Sequence, residues 1–562
     1  MVYDLCGMEA SPEQCYDVCI VGSGPAGGTL AHVLAGRGLK VCVLESGSHR
    51  PERFTDKLRE VESRGMLIKE YSRERVLGGA SSTWAGLSSP LDPVDFRKRE
   101  WVPWSGWPVA REELIPWYRE AARQFRFPAP ELFRDKQWME LGARAERFPQ
   151  WEALQEKIFV APEPPPDYGR EFARIYEGEG IDLFMHATVT RLEGSRENGR
   201  AEAASVMAPG GKAFSVHARV FVLACGGIEN PRILLNSTYA CPGGLGNDRD
   251  QVGRYFMNHP KNNFGVVRLS APIGEAPGYF GFLSLKTGHA AYVGLRVSEV
   301  LQEKEGLLNA YVRFEPVFNW SGRESIQALQ FFVKRSKLLL RAVKGAKGKR
   351  VMPLRDYSET GDDSELMNSR KSFGEIAGMA GKISMDLPMV MYYVYNRLFD
   401  RKPLSVREIW LRNFMEMAPD PTNRVSLGDK MDAFGMPLPV VRHVPGELDK
   451  RSMAAVQRYL GQELERSGLG RLADRLEEAT DPWPVDFDAS HHMGATRMGN
   501  DPATSVVDRH GRLHFCDNVY MAGASVFPTS GSANPTYTIV ALAIRLGEHL
   551  KRNLPCHHES SN

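Results

Sequence analysis

Six consecutive residues, Gly22-Ser23-Gly24-Pro25-Ala26-Gly27, carry the G-x-G-x-x-G spacing, and a carboxylate, Glu45, follows 21 residues after Gly24. Glycines so spaced suit a bound pyrophosphate. Gly22 permits a tight turn, Gly24 lets the backbone approach the phosphates, and Gly27 lets a helix sit close to its strand. Free N–H groups at the start of that helix attract the anion. An acid about 20 residues further on suits the hydroxyls of an unphosphorylated ribose. The chemistry indicated is dinucleotide binding; the spacing alone leaves FAD and NAD both open.

Strands and helices must place those residues. Val18-Cys19-Ile20-Val21 is an apolar run stopped by Gly22, which predicts a buried strand. The helix after it has Leu30, Val33 and Leu34 on one face and ends at Gly36 and Gly38. A second buried strand, Val41–Leu44, delivers Glu45. The stretch RVLGGASSTWAG (75–86) reads either as a plain turn or as backbone pressed against something bulky. Residues 90–180, rich in Trp and Pro, read as irregular structure with short helices. Strands return from 181 in IDLFMHATVTRLE, AEAASVMAP and SVHARVFVLACGG, the last followed by a helix opening at Glu229-Asn230-Pro231. Within 260–480, NNFGVVRLS and AAYVGLRVS alternate as antiparallel strands do. Towards the C-terminus come HHMGATRMG (491–499), a strand at Val519–Ala522, a turn at Gly523 and a helix with Pro535 in its first turn.

The 562 residues are 42% hydrophobic and 25% charged with a net charge of +2, so nothing in the composition argues for nucleic acid. No uncharged apolar run reaches the length of a membrane span. Residues 1–15 lack the basic and apolar regions of a secretory signal, and the expected location is cytoplasmic. Eight cysteines without a Cys-x-x-Cys pair predict reduced, mostly buried thiols and no metal site. Cys19 and Cys42 fall inside predicted strands, and His557 and His558 in a terminal tail. Residues 324–350 form a basic amphipathic helix candidate. Ile326, Leu329, Val333, Leu340 and Val343 share one face, and Lys334, Arg335, Lys337, Arg341 and Lys344 crowd the rest. The expectation is a helix facing its own core, with weak association of 324–350 with an anionic membrane surface or polyanionic partner as the alternative.

Together the fingerprint, RVLGGASSTWAG, VFVLACGGIENPRILL, VGRYFMNHP (252–260) and the two C-terminal stretches resemble the glucose-methanol-choline (GMC) flavoprotein oxidoreductases. HHMGATRMG is similar to the form H-x-x-G-T-x-R-M-G of sugar oxidases and dehydrogenases, with Ala495 in place of threonine. The resemblance implies FAD and an α/β, Rossmann-type FAD-binding domain that is discontinuous in sequence (1–100, 181–260 and 481–562). An inserted α+β substrate domain on an antiparallel sheet (101–180 and 261–480) is implied as well.

It also implies His491 as catalytic base, with His492 the adjacent candidate, and Asn534 as the second catalytic residue. FAD contacts are expected at Gly22, Gly24, Pro25, Ala26, Gly27, Glu45 and Ser46. Others are expected at Arg75, Gly78, Gly79, Ser82, Thr83 and Trp84, and at Val189, Ala224 and Gly226. The C-terminal contacts would be Gly523, Ala524, Asn534, Pro535 and Thr536. Thr83 stands where covalently flavinylated members carry histidine, which implies non-covalent FAD; Gly523 stands where many members carry aspartate. The implied reaction oxidises a primary or secondary alcohol, of a sugar or glycoside, by hydride transfer to flavin N5 while imidazole takes the hydroxyl proton. The electron acceptor stays open among O2, a quinone and a protein. A non-redox lyase and a lipid-linked alcohol substrate are the alternatives.

Overall fold

Continuous apolar runs build the first sheet, because a strand buried on both faces has no solvent side to keep polar. The computed structural model describes residues 1–562 except 37, 70–71, 134–149, 163–164, 178–179, 274–278, 281–282, 336–371, 399–405, 480–481, 486–489 and 555–562. Tyr16–Val21 is buried throughout and lies between Val41–Leu44 and Lys212–Leu223, parallel to both, with Val18 opposite Val41 and Val220. Ile181–Met185 and then Val2–Asp4 extend one side in parallel. On the other side Val519–Met521 joins Lys212–Leu223 in parallel, and Ala201–Ala208 and Thr188–Gly194 continue from it antiparallel. Residues more than 300 apart in sequence therefore complete one sheet of eight strands.

A second sheet of seven strands, antiparallel, is built from the middle of the chain. Its centre pairs Lys261–Ile273 with Val406–Phe414, and His289–Val297 pairs with Leu154–Pro162 along nine residues. The helix Glu447–Arg466 covers it with Met453, Val456, Leu460 and Leu464. A third sheet joins Glu62–Gly65 in parallel to Pro437–His443, which also pairs with Arg424–Met431. Arg99 and Glu416 form a two-pronged ion pair at 2.9 and 2.5 Å with both side chains buried. Asn309 adds a backbone bond to the same carboxylate and amide bonds to Asp92 and Asp95.

Several expectations change. The region 90–180 holds a 15-residue helix, Arg111–Phe125, and the nine-residue strand Leu154–Pro162. The strand escapes notice because Lys157, which looks like a surface residue, is buried against Asp92 at 2.7 Å. The helix after Lys212–Leu223 opens at Gly226, one turn earlier than its polar residues suggest. Cys19, Cys42 and Cys516 are buried, but Cys6 and Cys15, in the segment preceding Tyr16–Val21, are exposed. Asp4, Cys6 and His186 lie close enough to share an ion, a grouping no spacing foretells; Asp4 and Glu52 hold the His186 ring at 2.8 and 3.0 Å. The basic helix is described as Glu324–Arg335, with Ile326 and Phe331 buried. Lys337, Leu340, Arg341, Val343 and Lys344 lie outside the described residues. Among the described residues no helix is long and apolar enough to cross a membrane.

Candidate active site

The carboxyl ends of Tyr16–Val21 and Val41–Leu44 open onto a cavity of about 650 Å³, within the usual range for small-molecule sites. The fingerprint enters it directly. Gly22, Gly24, Pro25 and Ala26 border the cavity, and the helix Pro25–Leu34 begins there with no side chain capping its first N–H groups. A Cβ built on Gly24 meets no protein atom within 4 Å, so a side chain would project into the cavity itself.

Glu45 and Ser46 form the next part of the wall. The Glu45 carboxylate accepts the Ser23 N–H at 3.0 Å, the Ser23 hydroxyl at 2.5 Å and the Gly47 N–H at 2.9 Å. Ser23 Oγ in turn accepts the Gly78 N–H at 3.0 Å. A carboxylate offers about four lone-pair positions, so three are spent on shaping the loop and one is left for a ligand. Burial pushes this carboxyl up, and the Ser23 and Gly47 bonds oppose that shift.

Arg75, Gly79, Thr83 and Trp84 border the cavity from the second glycine-rich stretch, and Val189, Ala224 and Gly226 from the sheet side. The C-terminal segments add His491, Gly523, Ala524, Asn534, Pro535 and Thr536. Gly27, Gly78 and Ser82, also expected as contacts, do not border it. Gly27 packs against the Gly22 carbonyl, Gly78 against Gly169, and the Ser82 hydroxyl bonds the Gly79 carbonyl at 2.9 Å. Their contribution is to the shape of the loops.

Other wall residues carry no local signal. Arg73 and Glu229 pair at 2.6 Å across 156 residues, and Arg75 joins the same carboxylate at 3.2 Å. Arg232 adds a third guanidinium at 3.2 Å and also pairs with Asp432 at 2.7 Å. Arg75 and the other two cations hold Glu229 down at about 2 despite its burial. Of the charged residues that border the cavity, Arg73 and Arg75 stand against Glu45, Glu74 and Glu229, whereas Arg232 and Asp432 do not border it.

Two histidines, His491 and His492, form another part of the wall. The backbone of Met493 pairs with that of Met257 in both directions at 3.0 Å. The Asn258 amide oxygen accepts from the backbones of His259, at 2.9 Å, and His491, at 2.8 Å. His491 meets His259 edge to face, Nδ1 to Nδ1 at 2.9 Å. Burial, helped by His259 and Lys261, holds the His491 imidazole well below its ordinary value, so it is neutral at pH 7. His492 also borders the cavity; its ring lies against Phe256, its Nε2 is buried without a partner, and burial takes it down to about 3. The Asn534 amide makes no hydrogen bond among the described residues and remains available to a ligand. The VGRYFMNHP motif marked the Asn258-His259 segment without revealing what it touches.

A donor-lined glycine loop, an uncapped helix start and space reserved at Gly24 fit a dinucleotide. Comparison with known proteins gives the same reading. Residues 17–237 match the family model described as FAD dependent oxidoreductase, and residues 419–543 match the model described as GMC oxidoreductase. The chain is 26% identical to 6'''-hydroxyparomomycin C oxidase of Streptomyces lividus, covering 98% of this chain and 94% of that protein. It is 23% identical to the fructose dehydrogenase large subunit of Gluconobacter japonicus, over 96% and 98% of the two chains. The fold is similar to that of pyridoxine 4-oxidase from Mesorbium loti, with a TM-score of 0.51 at 16% identity, over 95% and 99% of the two chains. With both family models matched in order around one cavity, the chain belongs to the GMC oxidoreductases, FAD-dependent enzymes.

Proposed function

We propose that the protein oxidises a primary or secondary alcohol carried on a sugar or glycoside, with His491 as the base and Asn534 as the group that orients the substrate oxygen. FAD, held between the glycine loops and the C-terminal segments, supplies the hydride acceptor. The observation that carries this reading is that a neutral imidazole and an unpartnered amide border the same cavity as the dinucleotide fingerprint. A neutral imidazole can take the hydroxyl proton as hydride leaves carbon. Asn534 can donate to the alkoxide that develops but cannot take its proton. The helix Thr536–Asn553 begins at the cavity with no side-chain cap, and its free N–H groups favour negative charge there. Relatives named for an aminoglycoside and for fructose support a polyhydroxylated substrate. The test is anaerobic addition of sugars, glycosides, aminoglycosides and simple alcohols to the purified holoenzyme. Bleaching by sugar-type alcohols is expected; bleaching by none of the panel would overturn the assignment.

The flavin in this reading is not covalently attached, because Thr83 has no ring nitrogen with which to bond it. Acid precipitation is expected to release all yellow colour into the supernatant. Colour kept in the pellet would point to Cys225, His491 or His492, the nucleophiles that border the cavity. The division into an FAD-binding part (1–100, 181–260, 481–562) and a substrate part (101–180, 261–480) is part of the same proposal. It is supported by the two large sheets, which draw on those segments separately.

A further inference from the structure

His259 faces the proposed base and has no assigned role. Its ring is buried, and its two nitrogens have different partners: Nδ1 lies 2.9 Å from His491 Nδ1, and Nε2 lies 3.3 Å from the Ser530 carbonyl oxygen. A carbonyl oxygen can only accept, so the proton of neutral His259 sits on Nε2 and its Nδ1 carries a lone pair. The facing Nδ1 of His491 must then be the donor. We infer that His259 is a positioning residue that sets the tautomer of His491, fixing the proton on Nδ1 and leaving the lone pair on Nε2. This rests on the reading of His491 as the base.

The consequence is chemical. Among the described residues His491 Nε2 has no protein partner, and the ring borders the cavity. In the reaction the substrate O–H bond breaks and its proton bonds to Nε2, while FAD, when bound, would supply the acceptor for the C–H electron pair as hydride. The other tautomer would present an N–H to the substrate and could not take the proton. A charged His259 would enforce that inactive tautomer by donating from Nδ1. Burial holds His259 at about 4, so it is neutral at physiological pH. The charged groups facing the pair are Lys157 and Glu416 near His259, and Lys261 near His491 with neutral His492 beside it.

The surroundings hold the acceptor still. Ser530 is fixed on both sides, its hydroxyl donating to the Met417 carbonyl at 3.2 Å and accepting the Met417 N–H at 3.1 Å. Asn258, itself buried, clamps the backbones of both histidines, and the His259 side of the ring contact is buried as well.

The experiment uses holoenzyme labelled with [15N]histidine, with His491→Ala to assign the signals. Wild type is expected to show a solvent-protected proton on Nδ1 of His491 and none on its Nε2. That signal should vanish in His259→Phe and persist in His259→Asn, whose amide oxygen can stand in for the ring Nδ1. In parallel, His259→Phe should lower the limiting flavin-reduction rate roughly 10–100-fold, as expected when an imidazole loses its orienting partner, with little change in the substrate concentration required. His259→Asn should recover most of the rate. A proton on Nε2 of His491 in the wild type, or His259→Phe reducing at the wild-type rate, would overturn the inference while leaving His491 as base. Should His259→Phe fail to fold, the wild-type tautomer alone decides. If His491→Ala reduces normally, it is the base reading that fails.

Discussion

His491→Ala is expected to slow anaerobic flavin reduction roughly 10²–10⁴-fold, the usual worth of a positioned general base, with flavin content unchanged. The fold should tolerate it. The segment is anchored by backbone bonds from His491 to Asn258 and between Met493 and Met257, which the substitution leaves in place. Loss of a base lowers the limiting rate, whereas loss of simple affinity would raise the substrate requirement and leave that rate alone. Because His491 is held well below its ordinary value, the wild-type rate should be flat through neutral pH and fall only in acid, as the imidazole protonates. His492→Ala is the control, since both rings border the cavity but only His491 has a partner that can set its tautomer. A slow His492→Ala beside a normal His491→Ala would move the base by one residue.

Gly27→Ala and Gly24→Ala should separate two roles within one fingerprint. A Cβ on Gly27 would lie 1.8 Å from the Gly22 carbonyl oxygen, and the obstacle is backbone, so no rotamer change relieves it. Overpacking of this kind costs about 1–3 kcal/mol or more, and Gly27→Ala is expected to lose both thermal stability and flavin. Gly24 has an ordinary negative φ and open space beside it, so alanine there should fold and melt like the wild-type apoprotein yet hold less flavin. Calorimetry of both apoproteins and flavin content after purification check this. Full flavin in Gly24→Ala would mean that the pyrophosphate does not approach this glycine.

Local patterns made the nucleotide side legible. Tyr16–Val21 and Val41–Leu44 are buried along their whole length, and a fully buried parallel strand is a short apolar run on paper. What stayed hidden depends on distance along the chain. His259 and His491 meet across 232 residues, and neither neighbourhood hints at the other. Leu154–Pro162 was masked by Glu156 and Lys157, whose charges find partners in Tyr279 and Asp92 rather than in water. Glu45 was legible as an acid at the right distance, but not as the residue that binds Ser23 and Gly47. A test that replaced it with arginine would break the loop before it probed any ribose.

The proposed reaction removes hydride from an alcohol carbon. The most direct test is stopped-flow mixing of the oxidised holoenzyme, without oxygen, with an alcohol that serves as substrate, unlabelled or deuterated at the carbinol carbon. Loss of the oxidised flavin spectrum is expected in a single turnover, slower with the deuterated compound, with one oxidised product per flavin. Product formed while the flavin stays oxidised throughout would contradict it and point to a non-redox member of the family.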